Sequence, residues 1–261
     1  MPTPILRTVS LTHRYPDGRV AIDGVSFDVN EGESVALVGP NGAGKTTLFL
    51  RLCGVLPGER GQAEVNGLDP ADPTHKKKIP ATVGIVFQNP DDQLFCPTVF
   101  DDVAFGPLNL GLGESEVRRR VAEALAAVGL TGFDDRVPFK LSGGEKRRAA
   151  VATVLAMRPS VLLFDEPTAH LDPRGRREFI TLIRSLPGTK LIATHDLEFV
   201  LDVCPRVLVL ESGKLLADGV TETILANAEL MTKHGLEVPW RLRQSSDSAG
   251  RFSPTGRIEI R

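Results

Sequence analysis

Gly39-Pro40-Asn41-Gly42-Ala43-Gly44-Lys45-Thr46, with Thr47 behind it, is the stretch from which the rest of the chain is read. It fits the pattern GxxxxGK[ST] in full. Glycines there let backbone N–H groups turn inward around phosphate oxygens, because no Cβ blocks the approach. An apolar run, Val35–Val38, precedes it, and a helical pattern opens near Lys45. Strand, loop and helix start are the setting this chemistry needs, since the helix N-terminus adds the positive end of its dipole. Lys45 places a compact cation at the β- and γ-phosphates, the Thr46 hydroxyl suits Mg²⁺, and Thr47 reaches the α-phosphate. The expected ligand is a nucleoside triphosphate with Mg²⁺.

Further apolar runs resemble buried parallel strands: Ser34–Val38, Val83–Phe87, Val161–Phe164 and Lys190–Ala193. Helical patterns separate them, so the fold class expected is an α/β sheet covered on both faces. Val25, Phe27 and Val29 alternate with polar residues, and Gln62 to Gly67 forms another short extended segment. Together these predict a small antiparallel β subdomain. Between Glu116 and Val128 the apolar positions Val117, Val121, Leu125 and Val128 share one helical stripe, which Gly129 ends. That helix marks an inserted helical region over roughly 90–155. Arg206–Leu210 and Lys214–Asp218 flank Glu211-Ser212-Gly213, a hairpin.

Two strands deliver acids and amides to the edge where open α/β sheets bind ligands. Val161–Phe164 ends in Asp165 and Glu166; Asp165 is the expected Mg²⁺ partner, and Glu166 would orient or deprotonate an attacking water. Gln88 ends Val83–Phe87, where its amide oxygen could complete the Mg²⁺ shell. His195 follows Lys190–Ala193, where a neutral imidazole could donate to a γ-phosphate. Ser142-Gly143-Gly144-Glu145 opens another long helix, with Ser142 a good N-cap. Read by itself it is a glycine-rich cap.

Composition narrows the classes. Acidic residues number 33 and basic ones 31, a formal charge of −2 without the basic footprint of a nucleic-acid binder. Lys76–Lys78 and Arg118–Arg120 are short runs that suit solvated faces. Three scattered cysteines form no CxxC pair and fit a reducing compartment. Met1 to Ser10 has no apolar centre, so no secretory signal is expected, and no apolar run reaches the roughly 18 residues that suggest a membrane span.

Over about residues 5–235 the chain resembles an ATP-binding-cassette (ABC) ATPase. The resemblance rests on motifs in order: Tyr15 for adenine stacking, Gly39–Thr47 as Walker A, Gln88 as Q-loop, Leu141–Glu145 as signature, Val161–Glu166 as Walker B, Ala169–Asp172 as D-loop and His195 as switch histidine. It implies a P-loop NTPase (RecA-like) core with an antiparallel β subdomain and an inserted helical signature subdomain. It also implies ATP and Mg²⁺ as cofactors, with Mg²⁺ held through Thr46, Gln88 and Asp165. Two cassettes would pack head to tail, each ATP lying between one subunit's cradle and the other's Ser142–Gly144.

The segment Phe87–Phe95, with Pro97–Leu110 after it, is similar to ATPases of energy-coupling-factor importers, especially the cobalt and nickel type. That resemblance implies a second ATPase subunit, identical or paralogous. It also implies a transmembrane coupling protein, a substrate-binding membrane protein and a place on the cytoplasmic face of the membrane. Asp91, Asp92 and Asp101 would then offer carboxylates to the coupling protein. DNA-repair relatives carry a long coiled coil between cradle and signature and ribosomal relatives carry two cassettes; neither pattern is present. Importers fed by a periplasmic binding protein are the remaining alternative within the family. Two positions depart from the family pattern: Glu145 stands where Gln is usual, and His170 where Gly is common. Residues 236–261 are expected to form a short tail, rich in Ser, Gly and Arg from Gln244 and partly mobile.

Overall fold

The computed structural model describes residues 4–243. The chain opens with β1 (Leu6–Arg14) and β2 (Val20–Val29), then β3 (Ser34–Val38) and α1 (Lys45–Leu52). Next come β4 (Ala63–Val65), a single turn α2 (Ile79–Thr82) and β5 (Val83–Val86). Three helices follow without an intervening strand: α3 (Val99–Asn109), α4 (Glu114–Ala127) and α5 (Gly143–Leu155). The second half alternates β6 (Val161–Asp165), α6 (Pro173–Ser185), β7 (Thr189–Thr194) and α7 (Leu197–Val203). It closes with the hairpin β8 (Arg206–Glu211) and β9 (Lys214–Val220), then α8 (Thr221–Leu225) and α9 (Ala228–Lys233).

These strands form two sheets. β2-β1-β4 is antiparallel, with Leu6 opposite Val29 on one side and Val65 on the other. The larger sheet runs β5-β6-β7-β3-β8-β9, parallel from β5 to β8, with β9 antiparallel at its edge. Every residue of β6 and β7 is buried, as a strand covered on both faces requires. Alternate residues feed two cores. Val38, Phe164, Ile192 and Val209 point toward the helices α5–α7, while Leu37, Leu163, Leu191 and Leu208 pack with α1 and the antiparallel sheet.

Sheet order positions the site. β3 lies between β7 and β8, and β6 lies between β5 and β7. The C-terminal ends of β5, β6, β7 and β3 therefore stand side by side. Loops leaving them carry Gln88, Asp165–Glu166, His195 and the glycine-rich stretch.

The helical insertion forms its own layer. Val117, Val121, Leu125 and Val128 all face inward, and Gly129 ends the helix at φ 70. Val103 of α3 and Ala150 of α5 share that core. The first residues of the C-terminal stretch pack on the domain: Leu236 is buried in the core, with Val238 and Leu242 packed against it. Arg241 anchors it, bonding Glu198 at 2.7 Å and Asp202 at 2.9 Å, both on α7. The mobile segment expected from Gln244 onward lies outside the described residues. Among the described residues no helix is long and apolar enough to cross a membrane.

Candidate functional site

Packing as well as phosphate chemistry demands two of the loop's glycines. At Gly44, held at φ 109, a Cβ would strike the carbonyl oxygen of Ala21 and lie 2.9 Å from Ile22 Cδ1. At Gly39 it would meet the carbonyl of Leu210. The loop is thus wedged between β2 and β8, and the hairpin turn holds it through Gly213 N–H donating to the Ala43 carbonyl at 2.9 Å.

Lys45 is buried at the start of α1. Its Nζ donates to the carbonyls of Gly39 at 2.7 Å and Pro40 at 3.2 Å, and lies 3.9 Å from Glu166 Oε1. Burial pulls its pKa below the ordinary lysine range, against the opposing pull of Glu166 and Asp165. Thr46 Oγ1 donates to Asp165 Oδ2 at 2.7 Å. Burial pushes the Asp165 carboxyl upward, and the Thr46 hydroxyl and Lys45 partly offset that. A hydroxyl and a carboxylate side by side are hard oxygen donors, and they fit Mg²⁺.

Glu166 follows β6 at φ 46, a left-handed conformation that costs a non-glycine residue about 1 kcal/mol or more. Its N–H bonds the Ala193 carbonyl of β7 at 2.8 Å. Oε2 accepts from Thr194 Oγ1 at 3.0 Å and from the His195 N–H at 3.3 Å, and lies 2.9 Å from His195 Nδ1. Glu166 is therefore clamped at one oxygen and faces Lys45 with the other. A clamped carboxylate beside a phosphate cradle can hold and deprotonate a water.

Asn41, Gly42, Ala43, Gly44, Lys45, Thr46, Thr47, Gln88, Asp165 and Glu166 line one cleft of about 200 Å³, together with Arg19 and Ala21. Tyr15 stands beside this cleft. Its hydroxyl is 3.0 Å from Thr47 Oγ1, Arg19 covers its ring at 4.8 Å, and His13 meets it edge-on. Ser142, Gly143, Gly144 and Glu145 do not line the cradle of their own chain. They start α5, and Ser142 and Glu145 form a capping box. The Glu145 N–H donates to Ser142 Oγ at 3.3 Å, while Glu145 Oε2 accepts from the Ser142 N–H at 2.8 Å and its hydroxyl at 2.7 Å. Those bonds, the hydroxyl's first, hold the Glu145 carboxyl below the usual glutamate range. Gly143 instead borders a second cleft with Gln88, Lys146 and His170. His170 sits at φ 61, a left-handed conformation that glycine adopts without strain.

Sequence reasoning missed three contributors. Arg19 lines the cleft, Thr194 holds Glu166, and Arg147 is buried against the loops behind it. Thr194 was reachable, as the last residue of a strand ending at the site. Arg19 and Arg147 had no such cue. Asp91, Asp92 and Asp101 are all exposed. Lys146 Nζ pairs with Asp91 Oδ1 at 2.6 Å, and Asp101 Oδ2 accepts from the Thr98 hydroxyl at 2.6 Å.

A family model described as ABC transporter matches residues 22–169, which span the cradle, Gln88, the Ser142 helix and the Asp165–Glu166 pair. The chain belongs to the ABC transporter family. As a member it binds ATP, and its chemistry is ATP hydrolysis coupled to transport. The chain is similar to a putative ABC transporter ATP-binding protein of Geobacter sulfurreducens, 52% identical over 90% of this chain and 94% of that protein. The energy-coupling factor transporter ATP-binding protein EcfA of Methanocaldococcus jannaschii is 46% identical over 90% of this chain and 86% of its own length. Among solved structures, cbiO1 of Clostridium perfringens, described as part of the ABC transporter complex cbiONQ, aligns with a TM-score of 0.78 at 37% identity. That alignment covers 93% of this chain and 99% of cbiO1. The cassette MJ0796, solved as a dimer in a post-hydrolysis state bound to ADP and Pi, aligns at 0.73 with 25% identity, covering 83% of this chain and 98% of that one.

Proposed function

We propose that this ABC ATPase is the motor subunit of an energy-coupling-factor importer, acting at the cytoplasmic face of the membrane. It would work as a dimer with a second copy or a paralogue, beside a transmembrane coupling protein and a substrate-binding membrane protein. The cargo class is a transition-metal ion, with cobalt favoured, or a vitamin. The similarity to EcfA and cbiO1 supports the importer type.

In this reading ATP lies along the cradle, with Tyr15 and Arg19 beside its base and Lys45 on its β- and γ-phosphates. Thr46, Asp165 and Gln88 hold Mg²⁺, whose role is to neutralise charge on the phosphates. Glu166 takes a proton from the attacking water, and His195 donates to the γ-phosphate. Ser142–Gly144 of the second copy complete the site. The placement of this chain's own Ser142–Gly144 outside its own cradle supports that requirement, and so does the dimeric form of MJ0796.

The observation that carries the membrane partnership is an apolar groove of about 780 Å³ between the segment after Gln88 and the helical insertion. Val55, Ile85, Phe87, Phe95, Phe105 and Met157 line it. Phe95 is 65% exposed and Phe105 49%, packed edge to face at 5.1 Å. Side chains of that kind on a surface mark a docking site for another apolar element. A helix of the coupling protein fits it, seated by hydrophobic contact. Asp91, Asp92 and Asp101, all exposed beside the groove segment, would offer carboxylates to basic residues of that protein.

Co-expression with a coupling protein and a substrate-binding membrane protein of an energy-coupling-factor importer tests the reading. Phe95→Asp and Phe105→Asp should lose co-purification with the coupling protein while basal hydrolysis stays. Reconstituted vesicles should then take up one cargo class on ATP addition. Retention of the complex by both variants would remove the groove from this role.

A further inference from the structure

Arg147 sits one turn into α5, only 4% exposed, and the partners of its guanidinium are unusual. Nη1 donates to the carbonyls of Glu166 at 3.1 Å and Pro167 at 2.6 Å. Nη2 donates to the carbonyls of Gln88 and Ala169, each at 3.0 Å. These four acceptors are all backbone carbonyls. A buried cation held by dipoles alone is costly, and burial depresses its pKa accordingly. What the bonds achieve is geometric. Three of the four carbonyls belong to the turn leaving β6, on which Glu166 sits at φ 46. Fixing those peptide planes fixes the direction in which the Glu166 side chain leaves the backbone.

The fourth bond reaches the loop after β5, and the same helix grips that loop twice more. Lys146 pairs with Asp91, and Gln93 Nε2 donates to the Ala150 carbonyl at 3.0 Å and to Thr153 Oγ1 at 2.8 Å. Segment 88–93 borders the apolar groove on one side and the cradle on the other. It is thus stapled to α5, and α5 is latched to Glu166.

We propose that Arg147 is a positioning residue: it holds the hydrolytic carboxylate of Glu166 to the signature helix and to the groove segment, so that the three move as one body. The proposal rests on the reading of Glu166 as the group that activates water. A displacement of the groove segment by a docked helix would then shift Glu166 through Arg147, with the Gly39–Thr47 loop left in place.

Arg147→Gln and Arg147→Lys test this. Each leaves some of the four carbonyls without a donor. Steady-state hydrolysis by the wild-type chain comes first, and no turnover there speaks against the ATPase reading, not against Arg147. Given wild-type turnover, both variants should lose kcat by about tenfold or more, with KM and the affinity for a non-hydrolysable ATP analogue within about twofold. Val121→Ala, which loosens the core under α4, is the stability control. It should lower Tm comparably and leave kcat within about twofold. Three results overturn the proposal: a folded Arg147 variant with wild-type kcat, losses in kcat and KM that follow Tm as Val121→Ala does, or failure of both Arg147 variants to fold, which would make the residue purely structural.

Discussion

At Ser142 the signature helix begins with its best donor already engaged. The hydroxyl and N–H of Ser142 both bond Glu145 Oε2, so a carboxylate occupies the positive end of the helix where a second copy's γ-phosphate is proposed to lie. Closure must displace that anion. Glu145→Gln keeps the capping geometry, since Gln serves equally in a capping box, but removes the charge. In a Glu166→Gln background it should lower the ATP concentration needed for dimer formation by about three- to tenfold, read by size exclusion at fixed protein concentration. An unchanged midpoint would show that Glu145 does not compete with nucleotide. Lys45→Ala should weaken ATP binding by at least about tenfold in a direct titration, because the compact charge at the phosphates is gone; unchanged affinity would contradict the cradle. Motif residues such as Lys45, Asp165 and Glu166 were legible because their chemistry requires fixed types at fixed spacing on a strand end. Arg147 was not. Its partners are carbonyls from 59 and from 19 to 22 positions away, and carbonyls leave no mark in a sequence.

Among the elements, the buried strands were the easiest to read, since burial on both faces leaves unbroken apolar runs such as Val161–Phe164. The helix α4 was equally plain from its stripe. By contrast α3 contains Pro107, a residue that argues against a helix interior. It forms because Thr98 caps it, accepting from the Asp101 N–H at 3.1 Å, and because Val99 and Val103 are buried in the core beside α4 and α5. How α5 seats on the sheet also depends on a detail invisible to pattern. Gly84 of β5 lies under Val154, and an added Cβ would strike Val154 Cγ1 and come within 3.3 Å of the Pro159 ring. Gly84→Ala should therefore destabilise the fold by about 1–3 kcal/mol in urea unfolding, with α5 pushed outward. A variant of wild-type stability would mean that α5 rides more loosely than this contact implies.

For the whole molecule, convergence follows from strand order. Because β5, β6, β7 and β3 are neighbours, Gln88, Asp165–Glu166, His195 and the Lys45 loop meet at one edge although Gly39 and His195 are 156 positions apart. The sequence order of motifs made the architecture readable, whereas the packing of 236–243 onto α7 was not, its apolar residues being few and irregularly spaced. What no single chain supplies is a signature helix over its own cradle.

The account depends on that last point, and the Glu166→Gln chain tests it most directly by sedimentation with and without Mg·ATP. The predicted result is a monomer without nucleotide and a stable dimer holding two ATP molecules with it, together with loss of hydrolysis. A monomer that binds ATP at wild-type affinity and stays monomeric, or a variant that turns over at the wild-type rate, would contradict it.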